Sequence, residues 1–519
     1  MKRFISLILS ALLCIAPLSV NAAETDDTRY TKMDMLISQM MSDDDPTDGS
    51  QWNTENTTAF KWSYINGCMV SAMTGLYDTT GDSSYLTFAD TYMEPFISES
   101  KVSSSAGYIA ASSFKYTNYT LDDLNCGKAL IDLIGYNSEN SSKYKKALTD
   151  TLYSPLLTYM LSNQTTAEGN LWHKKAYPYQ VWLDGIYMET PFYLQYELEI
   201  AESKTAFDTA ANHVTNQIEN VYAKLRNADT GLYYHGYDAQ ADPESGSYNK
   251  SSAISWAAEG SGHSANYWLR GMGWYAMALV DDIELLQQAE VKFNADYSQQ
   301  ISSLSAIYTE LADSMLKYQD KSTHLWYQVI DNPDVENKQY NYLETSGSAA
   351  MAYSLMKAYN IGIADISYYK EGRNVFRGLC DNKLNYNSSG TAVTLSDICG
   401  VAGLAGPSSG KTSSSATRGP KHTARDGSYD YYVSERLVSD DAKGAAPLIF
   451  AYCEIMKYEN ALGDTNLDGS VTKADAALLL KHISGVSALD DNALHAGDMN
   501  EDGTLTISDV IAIIKNINQ

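Results

Sequence analysis

The sequence predicts an all-α fold, an (α/α)6 barrel of six helix pairs with a small separate module appended at its C-terminus. Three observations carry this reading. Twelve long stretches repeat apolar residues on an i, i+3, i+4 stripe, the period of a helix, near 31–43, 60–80, 82–97, 120–137, 141–160, 178–201, 203–225, 266–288, 296–319, 342–361, 367–384 and 443–459. Several of them, such as FKWSYINGCMVSAMTGLYD, NYWLRGMGWYAMAL and ETSGSAAMAYSLMKAY, are apolar or aromatic on more than one face, which suits helices sandwiched inside a toroid. The residues from 463 onward differ in kind, because they hold two copies of one pattern.

The chain opens with MKRFISLILSALLCIAPLSVNAA. Lys2 and Arg3 precede an apolar core from Phe4 to Leu18, and small residues end it at Ala22 and Ala23, the pattern of a cleaved secretory signal over residues 1–23. An exported protein is therefore expected. Cys14 follows Leu13 rather than a small residue, so it reads as part of the apolar core and not as a lipid-attachment site. No later stretch is apolar for long enough to span a bilayer. The remaining cysteines, Cys68, Cys126, Cys380, Cys399 and Cys453, have no CxxC spacing and read as small buried residues. A net charge of −27 argues against nucleic acid or an anionic membrane as partner.

The barrel is expected over 28–460, with 44% hydrophobic content in the chain to fill its core. Its one long irregular stretch, Gly406 to Arg425, reads GPSSGKTSSSATRGPKHTAR and is too rich in Ser, Gly and Thr to pack, so a surface loop is expected there. The module over 463–519 contains DTNLDGSVTKADAALLLKHI from Asp464 and DMNEDGTLTISDVIAIIKNI from Asp498, offset by 34 residues. Each copy places oxygen ligands at alternate positions: Asp464, Asn466, Asp468 and Asp475, then Asp498, Asn500, Asp502 and Asp509. Such ligands can turn inward on one hard cation, and Gly469 and Gly503 permit the turn, so two structural Ca2+ ions are expected.

Each loop leads into an apolar helix (AALLLKHI, VIAIIKNI), and the sequence shows none in front of it. This loop-helix pair resembles a type I dockerin, including the closing Asp475 and Asp509 where sensor loops usually carry Glu. The resemblance implies docking onto a cohesin of a scaffoldin, and so an extracellular, cellulosome-type attachment. A calcium-stabilised tail without a partner is the alternative.

The chemistry is read around VWLDGIYMETPFY, Val181 to Tyr193, where Asp184 stands among aromatic and aliphatic residues. A buried carboxylate loses several kcal/mol of hydration unless it is paired or protonated. Further clusters are YTLDDLNCGKAL, YYHGYDAQ, HSANYWLRGMGWYAMAL, LWYQVIDNP, NYLETSGSAAMAY and RDGSYDYYVSE. Aromatic faces that bind pyranose rings, beside Asp, His and Arg, allow acid catalysis on a sugar.

In content and order these motifs resemble glycoside hydrolase family 105, the unsaturated rhamnogalacturonyl hydrolases. The resemblance implies an oligosaccharide substrate with a 4,5-unsaturated galacturonyl residue at its nonreducing end, hydrated at its enol ether without a catalytic cofactor. Carbon protonation needs an acid still protonated near neutral pH, and burial in an aromatic pocket raises a carboxyl's pKa. The resemblance assigns Asp184, in WLDG, as general acid and activator of water, and Asp122, in LDDLN, as the second carboxylate ahead of its neighbour Asp123. It places His235, Trp268, Arg270 and Trp274 in the sugar pocket, with Arg270 suited to pair with the uronate.

Read without the family, Asp122 also fits a helix cap after Thr120, His235 a core histidine, and Trp268 and Trp274 a core stripe. Glu344 reads as structural. The segment between GVAGLAG and RDGSYDYY is longer than the family pattern, which leaves the farther sugar subsites open. Two other functions stand beside the hydration: a conventional inverting glycosidase using Asp184 and Asp122, and a non-catalytic pectin-binding scaffold component.

Overall fold

The computed structural model describes residues 25–42, 60–112, 114–136, 139–405, 424–489, 491–500 and 502–517. The secretory signal expected over 1–23 lies outside the described residues, as does the expected surface loop apart from Ala424 and Arg425.

The barrel helices are α1 Asp26–Met41, α2 Tyr64–Thr80, α3 Ser83–Met93, α4 Asp122–Gly135, α5 Ser141–Ala147 running on through Leu148–Leu157 into α6 Thr158–Asn163, α7 Leu183–Tyr196, α8 Lys204–Leu225, α9 Leu269–Phe293, α10 Ser298–Lys317, α11 Thr345–Asn360, α12 Ile366–Asn382, α13 Tyr429–Ser434 and α14 Ala442–Ala461. Six of them form a closed inner ring. Helices α2, α4, α7, α9, α11 and α14 each pack against the next, and α14 returns to α2. Their burial is nearly complete: in α7 only Asp184 and Gln195 are not buried, and in α11 every residue from Thr345 to Tyr359 is. That is the physical content of the many-faced apolar pattern, since an inner helix touches both ring neighbours and the barrel axis.

The outer helices α1, α3, α5 with α6, α8, α10 and α12 cover the ring with one face each. Helix α8 buries Phe207, Ala210, Ala211, Val214, Ile218, Val221 and Leu225, a single stripe at helical spacing. The ring closes tightly where α11 crosses the start of α9. A Cβ on Gly347 would stand 2.8 Å from the backbone carbon of Leu269 and 2.9 Å from the nitrogen of Arg270, so only glycine fits.

All twelve predicted helices are present, with three local corrections. The stretch 141–160 is interrupted at Ser154, where the backbone is extended. Residues 180–182 are not helical. They form strand β1 Gln180–Trp182, antiparallel to β2 Gly236–Asp238, and α7 begins only after the extended backbone of Trp182. All three strand residues are buried, and Val181 and Trp182 are apolar like a helix stripe, so periodicity alone cannot separate the two. Helix α13 has six residues, too few to show a period. Two further small sheets pair β3 Leu384–Tyr386 with β4 Val393–Leu395, and β5 Ile398–Cys399 with β6 Leu437–Val438.

The C-terminal module contains α15 Lys473–Ile483, α16 Asp491–Gly497 and α17 Ile507–Ile517, around a small core of Ala476, Leu479, Val510 and Ile513. Both loops do have a helix in front, α14 before the first and α16 before the second, contrary to the expectation from sequence. Helix α14 belongs to the barrel's own pattern, and α16, DNALHAG, is too short and polar to show a stripe. The module contacts the barrel where His495 meets the Tyr359 ring edge-on at 5.0 Å, and within the module Gly463 N donates to Ala496 O at 2.7 Å. The five cysteines after the signal are free and buried. Among the described residues no helix is long and apolar enough to cross a membrane.

Candidate active site

The inner helices bring their first turns to one cavity of about 750 Å³. Tyr64 and Ile65 begin α2, Asp122 and Asp123 begin α4, Asp184 is the second residue of α7, and Trp268 and Arg270 stand at the start of α9; all line it. Helix N-termini carry partial positive charge, so this end of the barrel favours anions and ionised carboxylates.

Two Asp–His pairs face the cavity, and strand β1 positions both. Leu183 N donates to His235 O at 2.9 Å, and Trp182 pairs with Gly236 across the ladder, which brings the start of α7 beside His235. His235 Nε2 stands 3.6 Å from Asp184 Oδ1, and neither atom has a hydrogen-bond partner among the described residues. The other ring nitrogen, Nδ1, is 2.7 Å from the Tyr432 hydroxyl on α13. On the other side of β1, His173 N donates to Gln180 O at 2.9 Å while its carbonyl accepts from Leu121 N at 3.0 Å, immediately before Asp122. His173 Nε2 lies 3.5 Å from Asp122 Oδ1, and its ring stacks on Trp182 at 4.5 Å.

These neighbours set the charges. Burial pushes Asp184 up, but the hydrogen-bonding influence of His235 and the field of His173 outweigh it, and its carboxyl is held below the usual range. The expectation that burial would leave Asp184 protonated at rest is therefore corrected; two histidines and a helix N-terminus reverse the desolvation. Asp122 is driven up by burial and brought down to about 2 by His173 and Lys174. Burial lowers His235 despite Asp184, so its ring is neutral near pH 7. Asp123, the carboxyl set aside in favour of Asp122, lines the same cavity and is held well above the usual carboxylate range by burial and then by the charge of Asp122.

Residues 37–459 match Glycosyl Hydrolase Family 88. The chain belongs to this family. Residues 462–518 match the dockerin type I domain. A solved structure of a glycoside hydrolase from family 105 of Clostridium acetobutylicum (C. acetobutylicum) is 30% identical, covers 81% of this chain and 98% of its own, and superposes with a TM-score of 0.64. Protein Atu3128 of Agrobacterium fabrum is 34% identical over 230 residues, 43% of this chain and 82% of that protein. The unsaturated rhamnogalacturonyl hydrolase YesR of Bacillus subtilis is 27% identical over 183 residues, 35% of this chain and 42% of that one. This family 88 chain is thus a glycoside hydrolase on an (α/α)6 barrel, followed by a dockerin.

Of the residues predicted for the hydrolase site, Asp122, Asp184, Trp268 and Arg270 line the cavity, and His235 stands directly behind Asp184. Arg270 Nη1 donates to Cys399 O at 2.6 Å and to Ser346 Oγ at 3.2 Å, with the guanidinium 4.8 Å from the Trp268 ring centre. Trp274 does not join them. One turn farther along α9, it stacks on Tyr187 at 4.9 Å in the barrel core, the alternative its helical spacing allowed. Glu344 caps α11, accepting from Ser346 N at 3.0 Å and Gly347 N at 2.7 Å, the structural role read for it.

Sequence reasoning missed His173, Lys174 and Tyr432. His173 and Lys174 sit in LWHKK, just upstream of WLDG, and Tyr432 is in RDGSYDYY, but only the pairing through β1 and the packing of α13 bring them to the carboxylates. Gly185 makes the arrangement testable. A Cβ there would stand 2.8 Å from His173 Nδ1 and 3.2 Å from Leu121 Cδ1. Gly185→Ala should displace His173 from Asp122 and lower turnover by at least ~10-fold, an effect of misplaced catalytic groups, while the thermal midpoint falls only a few degrees.

In the dockerin, the loop carboxylates accept from their own turn. Asp464 takes Asp468 N at 3.1 Å and Gly469 N at 2.7 Å, and Asp498 takes Asp502 N at 3.1 Å and Gly503 N at 2.8 Å. The closing Asp475 and Asp509 are buried, and Asp509 Oδ1 has no hydrogen-bond partner among the described residues. In this arrangement no three Asp, Glu, His or Cys side chains among the described residues stand close enough together to hold an ion. An all-oxygen donor set with a buried unpartnered carboxylate oxygen nevertheless has the chemistry of a hard-cation site.

Proposed function

We propose that this family 88 enzyme removes 4,5-unsaturated galacturonyl residues from the nonreducing end of lyase-generated rhamnogalacturonan or pectin oligosaccharides by acid-catalysed hydration of the enol ether. The observation that carries the reading is the pair Asp184 Oδ1 and His235 Nε2, two buried polar atoms 3.6 Å apart at the edge of a sugar-sized cavity, neither with a hydrogen-bond partner among the described residues. Buried polar groups are normally satisfied, so such a pair is kept for substrate or water.

Asp184 rests as a carboxylate. A uronate entering beside it adds negative charge and excludes water, and both raise its pKa until it takes up a proton. That proton goes to the double bond, water adds to the cation left beside the ring oxygen, and the resulting hemiketal opens to release the next sugar. Neutral His235 holds the water against Asp184, and Asp122, kept ionised by His173, orients water or sugar. Arg270, Lys174 and Arg425 line the cavity in a chain of net charge −27, and with the helix N-termini they favour a uronate there.

Incubation with lyase-digested rhamnogalacturonan tests this. Loss of the enol-ether ultraviolet absorbance is expected; cleavage of saturated chains with that absorbance intact would instead indicate the conventional inverting reaction, and no change in either would leave only binding.

The remaining assignments belong to the same proposal: a signal over 1–23 that exports the chain, a barrel over 28–460, and a dockerin over 463–519 that binds two Ca2+ ions and attaches the enzyme to a scaffoldin cohesin. Its two halves differ. Helix α17 exposes Ile507 (55%) and Ile511 (47%), where α15 carries Lys473 and Ala477. One cohesin surface does not suit both, so a single binding orientation is expected. Charge substitutions at Ala474 and Ser508, made separately, should weaken binding unequally, one by more than ~2 kcal/mol and the other by far less. Equal small losses, with a large one only in the double variant, would show both orientations in use.

A further inference from the structure

We infer that the cleft holds a second anionic subsite, formed by Lys61 and Lys175, which takes a second uronate carboxylate farther along the same oligosaccharide. This rests on the proposed substrate and extends it from an unsaturated end to an acidic chain.

The cavity of about 750 Å³ lies high in the range of roughly 300–1,000 Å³ that encloses a drug-sized ligand, and one sugar ring leaves most of it unfilled. Lys61 and Lys175 line it as well, together with Thr117 and Asn118. Neither lysine has an ion-pair partner among the described residues, although the chain carries 64 Asp and Glu against 37 Lys and Arg, whereas Lys143, Lys224 and Lys357 are paired with carboxylates. Lys61 acts on Asp123, the carboxyl that burial and Asp122 hold well above the usual range.

Lys175 is held in place. Tyr119 stacks on Tyr159 with ring centres 3.9 Å apart, and Lys175 Nζ lies 5.1 Å from the Tyr119 ring centre. The Tyr119 carbonyl accepts from Lys175 N and from Gln164 Nε2, each at 3.0 Å, and Gln164 is buried. Two ammonium groups without ion-pair partners among the described residues match a sugar ring bearing a carboxylate. In rhamnogalacturonan, acidic and neutral sugars alternate, so a tetrasaccharide with an unsaturated end carries a second uronate and the disaccharide does not.

The test is calorimetric binding of the unsaturated disaccharide and tetrasaccharide to the full chain carrying Asp184→Asn, with and without Lys61→Ala plus Lys175→Ala. The tetrasaccharide should bind about 10-fold more tightly at low salt, the advantage shrinking in high salt, and the lysine double variant should remove it. A Lys61→Arg plus Lys175→Arg variant, which keeps the charge, should retain it. Equal affinity for the two sugars, or equal losses on both in the alanine variant, would overturn the subsite. Lysine-dependent preference for the tetrasaccharide in a wild-type enzyme that leaves the enol-ether absorbance unchanged would sustain the subsite and overturn the reaction.

Discussion

Asp184→Asn is expected to lower turnover at least ~100-fold, the usual scale for losing a general acid, while leaving the fold intact. Asparagine keeps the shape and the neutral charge of the protonated acid but has no proton to give. The pH dependence should agree. Asp184 is held below the usual carboxylate range in the free enzyme, so its protonated, active form thins out as pH rises, about tenfold per unit above its pKa. Accordingly kcat/KM, which reports the free enzyme, should fall as pH rises through the acid range. The profile of kcat should hold to higher pH, because the bound uronate raises Asp184. Activity of the Asn variant within a few-fold of wild type, or a kcat/KM that climbs with pH across the same range, would remove Asp184 from the acid role.

Calcium removal is the second large effect. The fully buried apolar core of the dockerin comprises Ala476, Leu479, Val510 and Ile513, too little to fold so small a unit unaided. Under the proposal, metal binding would supply the folding energy, with Asp464, Asn466, Asp468 and Asp475 to hold one ion and Asp498, Asn500, Asp502 and Asp509 the other. Chelation should abolish cohesin binding, a loss above ~100-fold, and open the chain after Gly463 to proteolysis, with a matching loss of helical circular dichroism. Hydrolysis should survive, because the inner ring closes from α14 to α2 without any dockerin residue. The thermal midpoint of the barrel should drop slightly, since Tyr359 loses its contact to His495. Failure of hydrolysis and cohesin binding at one chelator concentration would show that the two units fold as one.

Much of this was legible from local pattern. Twelve helices, their inner and outer character and the duplicated oxygen-ligand loops follow from residue spacing, because each depends on neighbours within a turn or two, while Asp122 and Asp184 were singled out by the resemblance of their motifs to family 105. The helix stripe over 178–182 misled, since Val181 and Trp182 of a buried three-residue strand give the same apolar signal as a helix stripe. Trp274 misled for a related reason: an aromatic at helical spacing from Arg270 reads the same whether it faces a pocket or the core, and rotation of α9 in the ring sends it against Tyr187.

The charge state of the site was not legible at all. From the sequence, Asp184 is a carboxyl in apolar surroundings, and desolvation alone predicts a raised pKa. Its partners come from distant stretches, His235 through the β1 and β2 ladder and His173 through its backbone bonds to Leu121 and Gln180. The sequence by itself determined which groups are present and which helices carry them, because propensity and periodicity are local. Only the tertiary structure decided which of those groups meet, and so which carboxyl is ionised, because the field at a buried group is the sum over neighbours that chain order does not place together.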